Sequence, residues 1–219
     1  MFSRRNLNVG VSIVGTLLGV KILYALRGFS WMTGATGYLF ALLLLGVPMW
    51  MRQRGLARCD FLNVTGSAII RSAAIGAGAS VILLPLYLLG NHFYQHWVWS
   101  ADFHAAMGGS LRGVAVSQFF LVALPEEFFF RGFIQEECNR LWGQRWKILG
   151  VSVGWGWILV AILFALSHSF ITVRWWHLFI FFPGLVFGWL READGGILAP
   201  TLFHAASNVT AQWIVWHYR

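Results

Sequence analysis

Residues 119–137 read FFLVALPEEFFFRGFIQEE. The stretch is apolar and long enough to cross a bilayer, yet Glu126, Glu127 and Arg131 stand in the middle of its Phe and Leu residues. A charged side chain at mid-bilayer costs at least about 2.5–3.5 kcal/mol. A span that keeps three of them must therefore turn them towards protein or a wet cavity and away from lipid. That requirement sets the fold class: an all-α, polytopic membrane helical bundle. Composition agrees. Of 219 residues, 58% are hydrophobic, 11% are charged and 13 are tryptophan, with a mean hydropathy of +0.66. A soluble domain carries about 25% charged residues. This balance excludes a soluble globular protein and a disordered or nucleic-acid-binding tail, despite a net charge of +8.

Working outward, apolar runs predict about seven transmembrane helices, near 7–26, 31–51, 68–90, 111–137, 150–170, 175–191 and 196–216, forming a single membrane-embedded domain over 1–219. The basic residues orient them. With the N-terminus inside, the inner segments hold nine Lys and Arg (Arg4, Arg5, Arg52, Arg54, Arg58, Arg140, Arg145, Lys147, Arg191) against three outside (Arg27, Arg174, Arg219). By the positive-inside rule the N-terminus is cytoplasmic and the C-terminus outside. The first run follows Arg4 and Arg5 but shows no convincing cleavage site, and reads as a retained helix. The compact size, without a soluble domain, points to a multi-pass protein of a prokaryotic inner membrane.

Smaller features fill in the bundle. Cys59 and Cys138 fall in predicted cytoplasmic loops, outside any CxxC pattern, so neither a disulfide framework nor a zinc knuckle is expected. Loop 91–110, with Phe93, Tyr94, Trp97 and Trp99, suits the headgroup region. His92 and His96 are read as solvated there, and His104, His177 and His217 as headgroup-level residues. All five prolines (Pro48, Pro85, Pro125, Pro183, Pro200) lie inside apolar spans and predict kinks. Gly15-x-x-x-Gly19, Gly184-x-x-x-Gly188 and the small-residue run 73–80 fit close helix contacts, although such spacings also arise by chance among 24 glycines.

Spacing sorts the buried charges. Glu127 and Arg131 are i and i+4 and share a helix face, so they can pair. Glu126 lies about 100° round the helix without a cationic neighbour in sequence, and such a carboxylate suits a general base. Glu136 and Glu137 mark the inner helix end. The fifth span carries His168 one turn after Phe164. The seventh carries His204 and Asn208, i and i+4 on one face. Each histidine alone could be a satisfied core residue, and the glutamates could merely cap or pair with other helices. One wet cavity holding Glu126, His168, His204 and Asn208 satisfies them together. Depth tests this. At about 1.5 Å per residue, Glu126 lies roughly 16 Å, and His204 roughly 12 Å, from the inner helix ends. His168 meets them only if its helix starts near Gly154, running over about 154–173, so that start is predicted.

Glu126-Glu127-x-x-x-Arg131, Phe164-x-x-x-His168 and His204-x-x-x-Asn208 resemble, in order and on separate spans, the three motifs of the CPBP family. This is the group of CAAX-processing and bacteriocin-processing, Abi-type intramembrane proteases that includes the Ras-converting type of CAAX protease. The resemblance covers about residues 111–212, and the first three spans carry no matching motif. It implies a glutamic-type intramembrane endopeptidase that cuts a protein or peptide substrate near its C-terminus. Glu126 with His168 would activate water, His204 and Asn208 would stabilise the oxyanion, and Glu127, Arg131 and Phe164 would support the site. Members have also been regarded as metalloproteases. Glu126, His168 and His204 would then be zinc ligands, but HExxH is absent and an Asn amide is a poor ligand, so no cofactor is expected. The substrate it implies is a protein or peptide with a C-terminal processing signal, lipidated or membrane-anchored: a CAAX-like tail, a bacteriocin leader or a C-terminal sorting helix. The other readings are a non-catalytic scaffold or immunity protein of the same fold and a small proton-coupled transporter.

Overall fold

The computed structural model describes residues 4–32, 34–59, 65–105 and 110–218. It is an all-α membrane bundle. The helices are α1 (Arg4–Leu26), α2 (Thr36–Gln53), α3 (Gly66–Trp99), α4 (Leu111–Trp142), α5 (Trp155–Thr172), α6 (Phe181–Asp194) and α7 (Leu198–His217). Of these, α1, α3, α4 and α5 are long and apolar enough to cross a membrane. One small hairpin, β1 (Trp146–Ile148) and β2 (Val151–Val153), pairs Trp146 with Val153 and Ile148 with Val151. Leu149 and Gly150 both have positive φ at its turn, the primed geometry that suits a two-residue hairpin.

The helices alternate in direction. At one end Arg5 of α1 bonds Glu137 of α4 at 2.9 Å. There too Arg71 of α3 donates to the Asp194 carbonyl of α6, and Gln144 reaches Glu192 at 2.6 Å. At the opposite end Lys21 of α1 donates to the carbonyls of Phe170 and Ile171 on α5, at 2.8 and 3.0 Å. His92 of α3 meets the Tyr218 hydroxyl there at 2.9 Å. Most basic residues cluster at the first end, called the arginine-rich end below.

Several expected boundaries move. The hairpin takes up 146–153, so α5 starts at Trp155 behind Gly154, as the depth estimate required. A Cβ at Gly154 would lie 2.2 Å from the Gly143 carbonyl oxygen, so only glycine permits this start. Residues 91–99, expected in a loop, instead continue α3, and 106–109 of that loop lie outside the described residues. Helix α4 runs past Glu136 and Glu137 to Trp142, which puts Cys138 in a helix. The sixth span is split: a 3₁₀ turn (Trp175–Ile180) precedes the 14-residue α6. At about 21 Å, α6 alone is shorter than the hydrocarbon core. Pro183 and Pro200 fall in the first turns of α6 and α7, where the missing N–H has no intrahelical partner to lose. They sit where helices start, a position that proline tolerates.

Pro125 behaves differently. Its α-helical turn, Leu124–Glu127, lies between π-helical segments Gln118–Ala123 and Phe128–Gln135. The wider i→i+5 turns flank Glu126 and Glu127, and the second contains Arg131. Close packing holds this helix against α5 and α6. Gly188 lies where a Cβ would come within 2.7 Å of Trp157 and 2.9 Å of Gln135. By contrast, a Cβ at Gly15 would meet nothing within 4 Å, so the Gly15–Gly19 spacing is not a two-point contact.

Candidate active site

Four elements meet around the middle of α4. Arg131 is fully buried and donates through Nη1 to Glu127 Oε1 at 3.1 Å and through Nη2 to the Gly184 carbonyl of α6 at 3.1 Å. Its guanidinium also lies 4.3 Å from the Phe164 ring centroid, a cation–π contact that helps a charge without water. The i,i+4 pair read from the sequence is therefore present. Sequence reasoning missed that Glu127 Oε1 is shared: His204 Nδ1 of α7 meets the same oxygen at 2.8 Å.

These bonds fix both imidazoles. His168 Nδ1 lies 2.8 Å from the Phe164 carbonyl oxygen, which can only accept, so Nδ1 carries the proton. His204 Nδ1 faces a carboxylate and is the donor for the same reason. Both Nε2 atoms are left to face Glu126: Oε2 lies 3.8 Å from His168 Nε2 and 3.9 Å from His204 Nε2. Glu126 Oε2 is itself buried and has no hydrogen-bond partner among the described residues. The rings are held by aromatic neighbours. Phe164 packs edge-on against His168 at 4.5 Å, and Phe187 stacks on His204 at 4.5 Å.

Asn208, one turn beyond His204, donates to Gln118 Oε1 at 2.9 Å. Glu126, His168, His204 and Asn208 all line one cavity of about 750 Å³. Gln118 was not singled out from the sequence. The rule that exposed Glu126, a polar residue inside an apolar span, would have found it. His177 was placed at headgroup level, but the 3₁₀ turn folds it over the cavity, with Thr172 Oγ1 2.8 Å from its Nδ1. His217 is likewise buried, stacked on Trp213 at 4.2 Å. His92 and His96 are exposed, as expected, but on α3 and not in a loop. His104 is exposed.

The set Glu126, His168 and His204 was also the one that a metal would need. Among the described residues, no group of three or more His, Cys, Asp or Glu side chains is arranged to hold a metal ion. In the site one carboxylate oxygen faces two imidazole nitrogens, with the Glu127–Arg131 pair behind them, and such a set can accept and pass on a proton.

No curated protein matches the chain. No solved structure matches it either. A family model described as type II CAAX prenyl endopeptidase Rce1-like matches residues 108–210. That segment contains every motif on which the resemblance rested, so over it the chain is similar to the Rce1-like CAAX prenyl endopeptidases.

Proposed function

We propose that the protein is an intramembrane endopeptidase that hydrolyses a peptide bond near the C-terminus of a protein or peptide substrate. One observation carries the reading: the buried, unpartnered Oε2 of Glu126 faced by two oriented imidazole nitrogens. A water between Glu126 and His168 gives a proton to Glu126 as its oxygen attacks the scissile carbonyl carbon. His204, its Nδ1–H directed to Glu127, donates from Nε2 as the imidazolium, and Asn208 donates from Nδ2, to the oxyanion that forms. The proton on Glu126 then passes to the leaving amine as the C–N bond breaks. Glu127 and Arg131 hold His204 in place without touching substrate.

Glu126→Ala and His168→Ala are each expected to abolish cleavage of a co-expressed substrate, read by mass spectrometry of its C-terminus. Retained cleavage by either variant overturns the mechanism. No step uses a metal, so the purified enzyme is expected to keep full activity after strict chelation. Loss of activity that added zinc restores would assign Glu126, His168 and His204 as ligands instead. The family match supports a peptidase over a transporter or scaffold. The setting proposed is a prokaryotic inner membrane with the arginine-rich end in the cytoplasm.

A further inference from the structure

We propose that the cavity is entered from the membrane face opposite the arginine-rich end, the outer face. Its substrate is then a membrane-anchoring apolar segment of a protein already carried across the membrane. The nature of the substrate rests on the peptidase reading; the side of entry does not.

The bundle is closed at one end and open towards the other. Between the candidate site and the arginine-rich end lies a layer of buried side chains. Phe133, Gln135, Ile197, Ala199 and Thr201 have no exposed surface. Buried polar bonds cross the same layer: Gln135 Nε2 to Glu192 at 2.6 Å, Arg191 to Glu136 at 2.5 Å and Ser72 to Asp194 at 2.8 Å. The cavity extends the other way. Along α7 its lining runs from Phe203 and His204 to Ala211, and it takes in Trp176 and His177 of the 3₁₀ turn that follows α5. That turn lies at the end where Lys21 caps α5.

Charge assigns the two ends to the two faces. Among the described residues, ten Lys and Arg belong to the closed end and its loops, while Lys21, Arg27, Arg112 and Arg174 lie towards the open end. The positive-inside rule counts basic residues and not net charge, so the closed end is cytoplasmic.

The walls define the occupant. Leu83, Leu84 and Tyr87 of α3 form one side, and Phe179, Phe182 and Val186 form the other. Phe179 and Phe182 are each 61% exposed on a surface that lipid would cover. A cleft apolar on both walls and continuous with Glu126 and the histidines admits a few residues of an apolar segment from the outer leaflet. At about 750 Å³ it excludes a folded domain.

The test uses full-length protein in cells, with Cys59→Ala and Cys138→Ala. Trp176→Cys and Phe179→Cys report on the cavity mouth, and Arg145→Cys on the closed end. A membrane-impermeant maleimide applied to intact cells, with the outer membrane opened where there is one, should label at least one mouth variant tenfold or more faster than Arg145→Cys. Labelling of Arg145→Cys alone, or of no mouth variant, overturns the side of entry. Two reporters then carry the same apolar anchor in opposite orientations. Glu126-dependent cleavage at least tenfold greater for the reporter with its soluble part outside supports the substrate class. Preference for the cytoplasmic reporter overturns it. Cleavage of neither, with labelling as expected, overturns the peptidase reading and leaves the side of entry supported.

Discussion

Glu127 Oε1 is shared between Arg131 at 3.1 Å and His204 at 2.8 Å, whereas the next carboxylate in sequence, Glu126, leaves Oε2 without a hydrogen bond. Adjacent residues of one type thus have opposite thermodynamic roles. Removing one partner of a buried ion pair costs about 3–5 kcal/mol, because the other charge stays buried and uncompensated. Glu127→Gln is therefore expected to lower the thermal midpoint sharply and to lower cleavage as well. Glu126→Gln keeps the size of a side chain whose Oε2 supports nothing else. It is expected to leave the thermal midpoint near that of the parent while cleavage falls about 10²–10⁴-fold, the range for losing a general base. Thermal unfolding in detergent beside a cleavage assay checks both. A Glu126→Gln variant that unfolds as readily as Glu127→Gln would mean that Glu126 is structural.

At the scale of elements, much of the site was legible because bilayer physics makes a polar residue in an apolar span conspicuous. Glu126, His168, His204 and Asn208 were found in this way, and the i,i+4 pair Glu127–Arg131 followed from helical periodicity. The length of a helix within a fixed thickness also placed the start of α5. What sequence did not show depends on backbone departures from the α-helix and on contacts between helices. The π segments around Pro125, the turn that brings His177 to the cavity and the bond from His204 to Glu127 have no local signature. Neither does the close approach of α5 and α6, since one small-residue spacing was a contact and the other was not. Gly188→Val tests the real contact. Its added carbons would overlap Trp157 and the Gln135 amide, and overpacking of this kind typically costs about 1–3 kcal/mol. The variant is expected to unfold at lower temperature, while Gly15→Val, with open space around its Cα, should not.

At the scale of the whole molecule, the closed end joins helices that are distant in sequence. Glu137 is almost fully buried and accepts from Arg5 on α1 at 2.9 Å, from the Arg58 backbone N–H at 2.6 Å and from Arg140 at 2.8 Å. One carboxylate thereby ties the first helix and the loop after α2 to α4, which carries Glu126. In lipid there is little hydrophobic drive between helices, and packing with polar bonds holds them together. The first two helices supply none of the motif residues, so their attachment bears on stability more than on chemistry. Glu137→Gln keeps the shape but removes the charge that three donors share. Hydrogen bonds to charged groups contribute about 1.5–3 kcal/mol each, and a neutral amide retains part of that. The variant is therefore expected to lose about 2–4 kcal/mol and to become more sensitive to proteolysis in the 54–59 segment. Its cleavage rate per folded molecule should stay within about twofold of the parent, because the layer between Glu137 and the cavity is closely packed. A selective loss of cleavage at unchanged thermal midpoint would show instead that the closed end reaches the site.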